Sequence, residues 1–599
     1  MLQLSRRCNA RRLRLEVFTV SLLEVQELTI RYDDTAVVRG LSFAVEKGES
    51  VGLVGESGSG KSQTALAILG LLPGNAEIGG SIRLEGGELL GVSEHILNAV
   101  RAQRAAIVFQ DPMQALNPFL RIGEQLRRIL VQHRLADGKE AQARVIDMLK
   151  RVGLPDPERQ YRAYPHQLSG GMRQRAMIAS ALIAEPALLI ADEPTTALDV
   201  TVQAQILELL EEIRADTALL LITHDLGVVA GHCERMLVLE QGELVEQGAT
   251  RDVFARPRHA HTARLLAAAP RLDTINIPLP STGEELLQIE AASVSYRETG
   301  RGRLQAVRDV DLTIQTGETV AVVGESGSGK SSLVRAVLGL IPMQSGRVVF
   351  CGTALHGSVQ DRPTEVRRGM QLVFQDPVGS LNPQMRVANI VAEPLLVHKP
   401  ELSAVNRQKE VAVMLESTGL GEEYLQRYPH ELSGGQAQRV AIARALILKP
   451  KVLVCDEAVA ALDGTVREQI LALLREVQVD SGLAIVFITH DLSVVRAVSH
   501  RVLVMYMGAL VELAGNAALF GRPRHPYTRA LLEAVPIADP EHAGGKATLA
   551  GEVPSALTPP SGCMFHPRCK YARDICKSEV PRQRTLDGTT VACHLADEI

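Results

Sequence analysis

The order of apolar and polar stretches along the chain predicts strands that alternate with helices. In two long stretches, short runs of β-branched residues lead through a glycine-rich turn into a helical pattern, and further apolar runs then alternate with helical patterns. Short apolar runs bounded by turn residues are typical of buried strands, and strands that alternate with helices are typical of parallel sheets. The sequence therefore predicts an α/β fold with a largely parallel sheet.

The two long stretches are copies of one another. The segment VGLVGESGSGKSQTALAILGLL (51–72) recurs as VAVVGESGSGKSSLVRAVLGLI (320–341), and five further blocks recur in the same order. The matching blocks lie 264 to 269 positions apart, at 108–118 and 373–383, 164–175 and 428–439, 187–199 and 451–463, 220–229 and 486–495, and 256–270 and 522–536. Such a long period indicates that one whole domain was duplicated.

The duplication predicts where the domains begin and end. We expect an N-terminal extension at 1–20, a first domain at 21–270, a linker at 271–285, a second domain at 286–536 and a C-terminal extension at 537–599. The linker contains proline and glycine and has no clear period. Residues 1–20 are rich in arginine but lack the apolar core of a secretory signal. We expect a disordered extension or a start codon placed too early; the alternative is a targeting or membrane-surface role.

Composition and charge argue against some classes of function. Lys and Arg number 64 and Asp and Glu 69, which gives a net charge of −5 and argues against binding to nucleic acid through bulk charge. Hydrophobic residues make up 46% and charged residues 22%, as in ordinary globular proteins. No apolar run approaches the length of about 18 residues that a transmembrane helix needs. We therefore expect any membrane contact to be peripheral.

Each copy contains a glycine-rich loop between an apolar strand and a helix. Glycines let backbone N–H groups converge on phosphates, and the helix N-terminus adds positive potential. Lysine then reaches the β and γ phosphates, and the following serine binds magnesium. The predicted phosphate-binding residues are Gly55, Glu56, Ser57, Gly58, Ser59, Gly60, Lys61 and Ser62, and Gly324, Glu325, Ser326, Gly327, Ser328, Gly329, Lys330 and Ser331.

Two carboxylates end a buried apolar run in each copy. Asp192 and Asp456 suit magnesium, and Glu193 and Glu457, one residue later, suit polarisation of the attacking water. A histidine follows the next apolar run in both copies. From their duplication and position we expect these two residues to contact the γ phosphate, and they are His224 and His490.

The motifs LSGGM (168–172) and LSGGQ (432–436) lie between the phosphate loop and the acidic strand. They resemble the signature motif of ABC-type ATPases, and the resemblance covers about 22–270 and 286–540. It implies two tandem P-loop ATPase domains, each with a mainly parallel sheet, an antiparallel β subdomain and a helical signature subdomain. It also implies that the two domains pair head to tail within the chain. Each signature would complete the other copy's ATP site: Ser169, Gly170 and Gly171 that of Lys330, and Ser433, Gly434 and Gly435 that of Lys61.

The same resemblance implies further site residues. Gln110 and Gln375 would touch magnesium and couple to a transmembrane partner, so the magnesium ligands would be Ser62, Gln110 and Asp192, and Ser331, Gln375 and Asp456. Tyr32 and Tyr296 would stack on adenine. Asp199 and Asp463 match the aspartate that crosses the interface between paired domains.

The block HPYTRALL (525–532) is similar to the C-terminal motif of ATPases that energise oligopeptide, dipeptide and nickel importers. This resemblance implies two permease subunits, an extracytoplasmic substrate-binding protein, peptide uptake and a peripheral location on the cytoplasmic face of the bacterial inner membrane. The alternative is a soluble tandem ABC ATPase that acts on ribosomes or nucleic acid. The chain shows neither the long charged helical linker nor the ferredoxin-like domain typical of that class.

Four cysteines lie close together in the C-terminal extension, at Cys563, Cys569, Cys576 and Cys593. Four thiolates can hold a zinc ion or an iron–sulfur cluster, and zinc sites usually contain a tighter pair than any here. The peptide-importer resemblance implies [4Fe-4S]; zinc and unligated or disulfide-linked thiols are the alternatives. Because both phosphate loops belong to other domains, we expect loss of Cys569 or Cys576 to spare most ATP binding.

Overall fold

The structure is a computed structural model. It describes residues 21–599 apart from 57, 196–197, 214–216, 269–282, 299–301, 460–461, 463, 542–548, 550 and 552. The predicted N-terminal extension, most of the predicted linker, Ser57 and Asp463 lie outside the described residues. The strand that opens the second half begins at Glu285, the last residue of the predicted linker.

The first half contains ten strands and eleven α-helices among its described residues. The strands are β1 (Leu23–Tyr32), β2 (Thr35–Val45), β3 (Ser50–Gly55), β4 (Ala76–Leu84), β5 (Gly87–Glu88), β6 (Ala105–Val108), β7 (Leu188–Asp192), β8 (Ala218–Ile222), β9 (Arg235–Glu240) and β10 (Glu243–Ala249). The helices are α1 (Lys61–Ile68), α2 (Glu94–Val100), α3 (Pro112–Ala115), α4 (Ile122–Gln132), α5 (Gly138–Arg151), α6 (Pro157–Arg162), α7 (Gly170–Leu182), α8 (Val200–Ile213), α9 (Leu226–His232), α10 (Thr250–Ala255) and α11 (Ala260–Ala268).

The second half repeats this order and continues into the segment that contains the four clustered cysteines (Cys563 to Cys593), called the cysteine-bearing segment below. Its strands are β11 (Glu285–Glu298), β12 (Gly302–Gln315), β13 (Thr319–Val323), β14 (Ser345–Phe350), β15 (Thr353–Leu355), β16 (Met370–Val373), β17 (Val452–Asp456), β18 (Ala484–Ile488), β19 (Arg501–Tyr506), β20 (Ala509–Gly515), β21 (Arg584–Leu586) and β22 (Thr589–Val591). Its helices are α12 (Lys330–Val337), α13 (Thr364–Gly369), α14 (Pro377–Ser380), α15 (Val387–His398), α16 (Ala404–Ser417), α17 (Gly434–Leu446), α18 (Gly464–Ser481), α19 (Leu492–Val498), α20 (Asn516–Gly521), α21 (Pro526–Glu533) and α22 (Asp574–Ser578). Short 3-10 helices lie at Pro165–Gln167, Val359–Asp361, Glu422–Tyr424, Pro429–Glu431 and His566–Arg568.

A mainly parallel sheet forms the centre of each half. In the first half its order is β10-β9-β3-β8-β7-β6, with β10 antiparallel and the other neighbours parallel. Strands β3, β7 and β8 are buried along their whole length, because helices or other strands cover both faces. A separate antiparallel sheet, β2-β1-β4-β5, packs beside it. The predicted α/β class is confirmed.

The parallel sheet separates two hydrophobic cores in the first half. Leu189 and Ala191 face the core beneath α4, α5, α7 and α8, whereas Leu188 and Ile190 face the core beneath the antiparallel sheet and α1. This alternation follows from the two-residue period of a strand. One edge of this sheet, between the two cores, contains the carboxyl ends of β3, β6, β7 and β8. Ligands bind at this edge in sheets of this kind.

In the second half, the cysteine-bearing segment extends the central sheet. Strand β22 pairs antiparallel with β20, placing Glu512 opposite Val591 and Leu513 opposite Thr590. The equivalent strand β10 has no such partner among the described residues of the first half, and it ends its sheet. Gln247 of β10 corresponds to Leu513, so the covered strand has the more apolar sequence.

Within the described residues, no helix combines the length and the apolar character needed to cross a membrane.

Candidate active site

The glycine-rich loops fold as their glycines require. Gly60 and Gly329 have φ angles of 96° and 99°, a backbone region that other residues rarely adopt. A Cβ atom added to Gly60 would lie 2.9 Å from the Val37 carbonyl oxygen, and one added to Gly329 would lie 2.1 Å from the Ala306 carbonyl oxygen. Only glycine therefore lets the loop pass this close to the neighbouring strand, and the next residue begins α1 or α12.

The two lysines lie buried inside their loops. The Lys61 Nζ donates to the carbonyl oxygens of Gly55 and Glu56, at 2.8 Å each. The Lys330 Nζ makes the same contacts with Gly324 at 2.8 Å and Glu325 at 2.9 Å. Burial lowers the pKa of Lys330, although the nearby carboxylates, Glu457 first, oppose the shift. Each loop thus holds an ammonium group beside its backbone N–H groups, which is the arrangement that phosphates require.

Each loop serine contacts the aspartate at the end of the neighbouring strand. Ser62 Oγ donates to Asp192 Oδ1 at 3.1 Å, and Ser331 Oγ donates to Asp456 Oδ1 at 2.9 Å. Burial raises the pKa of both aspartates; the serine hydrogen bond opposes this shift, and the adjacent glutamate adds to it. A buried carboxylate beside a hydroxyl is an oxygen donor set that suits Mg²⁺, since the cation would stabilise the charge that burial disfavours.

Each glutamate contacts a glutamine and a histidine. Glu193 accepts from Gln110 Nε2 at 2.9 Å and lies 3.1 Å from His224 Nδ1. Glu457 accepts from Gln375 Nε2 at 2.6 Å and lies 3.5 Å from His490 Nδ1. These distances join the residues that follow β6, β7 and β8, or β16, β17 and β18, at one edge of the sheet.

Both glutamates have an uncommon backbone conformation, and the surroundings of Glu457 also lower its pKa. Glu193 and Glu457 have positive φ angles of 47° and 51°, and such strain in a non-glycine residue is common at functional sites. Burial acts to raise the pKa of Glu457, but the hydrogen bond and charge of His490, with Lys330 and Gln375, lower it overall. Glu457 is therefore held ionised, as a group that accepts a proton from water must be.

The remaining predicted residues lie around these two centres. The Tyr32 hydroxyl donates to Gln63 Oε1 at 2.6 Å, and the Tyr296 hydroxyl lies 3.1 Å from Ser332 Oγ, so each tyrosine contacts the residue after a loop serine. Ser169 and Ser433 cap helices α7 and α17 by accepting from the N–H groups of Met172 and Gln436. The glycines that follow, Gly170 and Gly171 and Gly434 and Gly435, form the first turns of these helices.

Contacts also join the phosphate loop of the second half to the first half. The Ser326 N–H donates to Asp199 Oδ2 at 3.3 Å. Val200 and Ala204 of α8 pack into a hydrophobic cluster otherwise made of residues from the second half. The reciprocal contact would join Ser57 to Asp463, which lie outside the described residues.

Comparison with known proteins agrees with this geometry. The ABC transporter family matches residues 38–196 and 307–460, and the oligopeptide/dipeptide transporter C-terminal region matches residues 245–293 and 511–576. The glutathione import ATP-binding protein GsiA of Pectobacterium atrosepticum is 42% identical over 585 residues, covering 90% of this chain and 93% of GsiA. The chain belongs to the ABC transporter family of ATP-binding proteins. The predicted ATPase class is thereby confirmed.

A second relative is similar to this ABC ATPase over most of its length. The peptidoglycan transport ATP-binding protein YejF of Agrobacterium fabrum is 44% identical over 531 residues, covering 87% of this chain and 97% of YejF. Among solved structures, a dimeric post-hydrolysis ATP-binding cassette bound to ADP and phosphate is 30% identical, covers 39% of this chain and 99% of that chain, and has a TM-score of 0.36.

Sequence reasoning missed a set of residues behind the second phosphate loop. Arg568 donates to both carboxylate oxygens of Glu325, at 2.6 and 2.9 Å, and Thr201 Oγ1 lies 2.5 Å from the same carboxylate. The Tyr527 hydroxyl accepts from the Glu325 N–H at 2.8 Å. The extension therefore contacts the second phosphate loop, although that loop belongs to another domain. That loss of Cys569 or Cys576 spares most ATP binding stays a prediction. Nothing local in the sequence could have paired Arg568 with Glu325, which lies 243 positions away.

The four clustered cysteines of the ABC ATPase line one cavity, as free thiols. Burial raises the pKa of Cys563, Cys569 and Cys593, in the last case to about 11, and the neighbouring thiols add to the shift. These thiols are therefore neutral near pH 7, and a bound metal would have to displace their protons. Among the described residues, no group of three or more His, Cys, Asp or Glu side chains is arranged to hold a metal ion.

Proposed function

We propose that the chain is the ATP-hydrolysing subunit of a bacterial ABC importer and that each half carries one ATP site. The convergence of lysine, serine, aspartate, glutamate, glutamine and histidine at the carboxyl ends of four neighbouring strands carries this proposal. The same convergence occurs twice, with matching contacts. Because neither half has lost a catalytic carboxylate, both sites are built to hydrolyse ATP.

In this proposal each half contributes the same set of roles. The glycine-rich loops and the ammonium groups of Lys61 and Lys330 bind the phosphates, and Tyr32 and Tyr296 stack on adenine. Mg²⁺, when bound, neutralises charge on the β and γ phosphates. Glu193 and Glu457 orient the attacking water and take its proton, and His224 and His490 contact the γ phosphate. The magnesium ligands are Ser62, Gln110 and Asp192 in one half and Ser331, Gln375 and Asp456 in the other.

We further propose that the two halves pair within the chain. The contact of Asp199 with Ser326 supports this pairing, because it joins the first half to the phosphate loop of the second. Ser169, Gly170 and Gly171 then complete the site of Lys330, and Ser433, Gly434 and Gly435 complete that of Lys61. The domains are 21–270 and 286–536, with extensions at 1–20 and 537–599 and a linker at 271–285.

The relatives suggest the partners and the transported solute. GsiA is named for glutathione import and YejF for peptidoglycan transport, and the second matching family is that of oligopeptide/dipeptide transporters. We propose that this chain drives uptake of peptides through two permease subunits, with an extracytoplasmic protein that binds the solute. It would lie at the cytoplasmic face of the inner membrane, with the loops around Gln110 and Gln375 transmitting closure to the permeases.

Peptide uptake in the host tests this function. Cells that lack the chain should lose uptake of a labelled di- or oligopeptide and regain it with the wild-type chain. They should not regain it with a chain that carries both Glu193→Gln and Glu457→Gln. Labelled glutathione, measured in parallel, distinguishes the solute. Unchanged uptake of all these solutes, with recovery of the chain on ribosomes in preference to permease-containing membranes, would favour the ribosome alternative.

We also propose that the four cysteines of the extension hold a [4Fe-4S] cluster. Their shared cavity supports it, as does the match of residues 511–576, which contain three of the four cysteines, to the oligopeptide/dipeptide transporter C-terminal region. Zinc sites usually contain a pair of cysteines closer together in the sequence than any pair here, which favours a cluster over zinc. The cluster would staple the loops of the extension together, with no redox step in transport.

Metal analysis of anaerobically purified protein tests the cluster. We expect a brown protein with about four irons per chain, and loss of the iron in Cys569→Ser or Cys576→Ser. Cys351→Ser is the matched control, because Cys351 is an exposed thiol outside the group. Stoichiometric zinc under strict anaerobiosis with iron supplied would contradict the cluster and leave a zinc site.

A further inference from the structure

The cysteine-bearing segment contacts the second phosphate loop through a buried ion pair. The side chains of Arg568 and Glu325 are only 3% and 4% exposed, and the two hydrogen bonds between them form a bidentate pair. Burial acts to lower the pKa of Arg568, but the hydrogen bonds and charge of Glu325 raise it overall. A pair buried this deeply fixes the orientation of both groups, and removing one partner leaves the other charge uncompensated.

Glu325 links three parts of the chain at this point. Its carboxylate contacts Arg568 of the extension and Thr201 of the first half, and its N–H group donates to Tyr527. Ser326, the next residue in the loop, donates to Asp199. The conformation of the loop backbone therefore depends on contacts that the loop cannot make by itself.

Aromatic side chains hold the Arg568 guanidinium in place. Tyr506, Tyr527 and Phe565 are nearly or fully buried, and their ring centroids lie 4.7 to 5.4 Å apart. The Arg568 guanidinium carbon lies 6.0 Å from the centre of the Tyr506 ring, which is within the range of a cation–π contact. Since Phe565 and Arg568 both belong to the cysteine-bearing segment, the order of that segment sets the position of the guanidinium.

The first phosphate loop is supported differently. Glu56, which corresponds to Glu325, is exposed. His261, which corresponds to Tyr527, is buried with its Nδ1 3.2 Å from Glu240 Oε1. The two loops have identical motifs, GESGSGKS, and the Arg568 side chain contacts Glu325 of the second.

We propose that Arg568 is a positioning residue for the second ATP site. By neutralising Glu325 it keeps the loop backbone in the shape in which its N–H groups can bind phosphates. Without Arg568, the buried carboxylate would have to reach water, and the loop would move with it. The proposal rests on the assignment of the Lys330 loop as an ATP site, and it makes the second site, and not the first, dependent on the extension.

ATP affinity measured one site at a time tests this proposal. In the full chain, Lys61→Ala should remove ATP binding at the first site and leave only the second, and Lys330→Ala should do the reverse. The Kd of a fluorescent ATP analogue with Mg²⁺ then reports on one site in each of these two variants. Arg568→Gln should raise the Kd at least about tenfold in the Lys61→Ala chain and leave it unchanged in the Lys330→Ala chain. Arg573→Gln is the matched control: this exposed arginine of the same segment pairs with Glu598, and its loss should change neither Kd.

Two further variants separate positioning from folding. Arg568→Lys keeps the charge but loses the bidentate geometry, so it should raise the Kd of the second site by about threefold. Combining Glu325→Gln with Arg568→Gln should restore part of the affinity lost in Arg568→Gln alone, because no uncompensated charge remains. An equal loss in both backgrounds, or unchanged binding in the Lys61→Ala chain, would overturn the positioning role. A Lys61→Ala chain that binds no ATP even with Arg568 in place would instead overturn the assignment of the second site, and the inference with it.

Discussion

At the level of single residues, the two glutamates proposed to activate water share a constrained geometry. Glu193 and Glu457 each combine a left-handed backbone with a glutamine and a histidine contact. Strain of this kind costs about 1–3 kcal/mol per residue and persists only where the surroundings enforce it. The same geometry in both halves is the basis for expecting the same role for the two carboxylates.

Replacing either glutamate tests this equivalence. Glu193→Gln and Glu457→Gln should each lower steady-state ATP turnover by at least about 100-fold and leave ATP binding intact, because only proton transfer is lost. Phosphate release and nucleotide binding measure the two effects separately. Glu468→Gln, at an exposed position, is the control. Wild-type turnover in either single variant would show that the sites are not equivalent.

The loop glycines give a prediction about stability. In Gly329→Ala, the new methyl group would meet the Ala306 carbonyl at a backbone angle that alanine disfavours. We expect a loss of about 1–3 kcal/mol in the free energy of unfolding, together with weaker ATP binding at the second site. Gly515→Ala is the control, since a Cβ atom there meets nothing within 4 Å. Equal unfolding midpoints for the two variants would contradict the prediction.

At the level of elements, the two halves differ at the antiparallel edge of their central sheets. Strand β20, whose edge pairs with β22, is largely buried. Strand β10 is half-buried or exposed along its length. An open strand edge that is apolar invites pairing with another chain, and charged or polar residues oppose this. Strand β10, with the open edge, has the polar Gln247, and the paired strand β20 has the apolar Leu513 at the corresponding position.

Truncation tests the role of β22 as an edge cover. A chain that ends after residue 540 should expose Leu513 and aggregate faster on mild heating than the full chain, as light scattering would report. Leu513→Gln, which copies the residue of the first half, should slow aggregation of the truncated chain. If the truncated chain aggregates no faster than the full chain, the edge needs no cover.

At the level of the whole molecule, the C-terminal part of the chain takes part in the contacts between the halves. Val200 and Ala204 of the first half pack with Tyr527 and Phe565, two residues that belong to the C-terminal motif and the cysteine-bearing segment. Gln205 Nε2 also donates to the Leu549 carbonyl oxygen at 3.0 Å. The extension therefore contacts the first half as well as the second.

The proposed peripheral location predicts how the chain behaves in membrane fractions. Co-expressed with its permeases, the chain should sediment with membranes and be released by a high-salt wash, because polar contacts at such an interface are screened. The permeases in the same sample, which resist the wash, are the control. Retention after the wash, or sedimentation with membranes from cells without permeases, would contradict a permease-dependent peripheral association.

The sequence alone determined the duplication, the α/β class and the identity of the residues around each phosphate loop. These features are local: a strand, a turn and a helix position Lys61 and Ser62 within a few residues, and Glu193 follows its own buried strand directly. Spacing within one such unit fixes which side chains meet, so the motif predicts the contact. The grouping of the four cysteines was also visible, because they occur within a short segment.

Only the tertiary structure decided that the two phosphate loops have different support. Arg568 and Glu325 are far apart in sequence, and an arginine in a polar segment looks the same whether it is solvated or buried. The motif around His525 and Tyr527 has no local period that predicts its burial against a phosphate loop. Long-range pairing depends on how the extension folds back across the sheet, and that path is set by the combined packing of β20, β22 and the aromatic cluster, which no local pattern encodes.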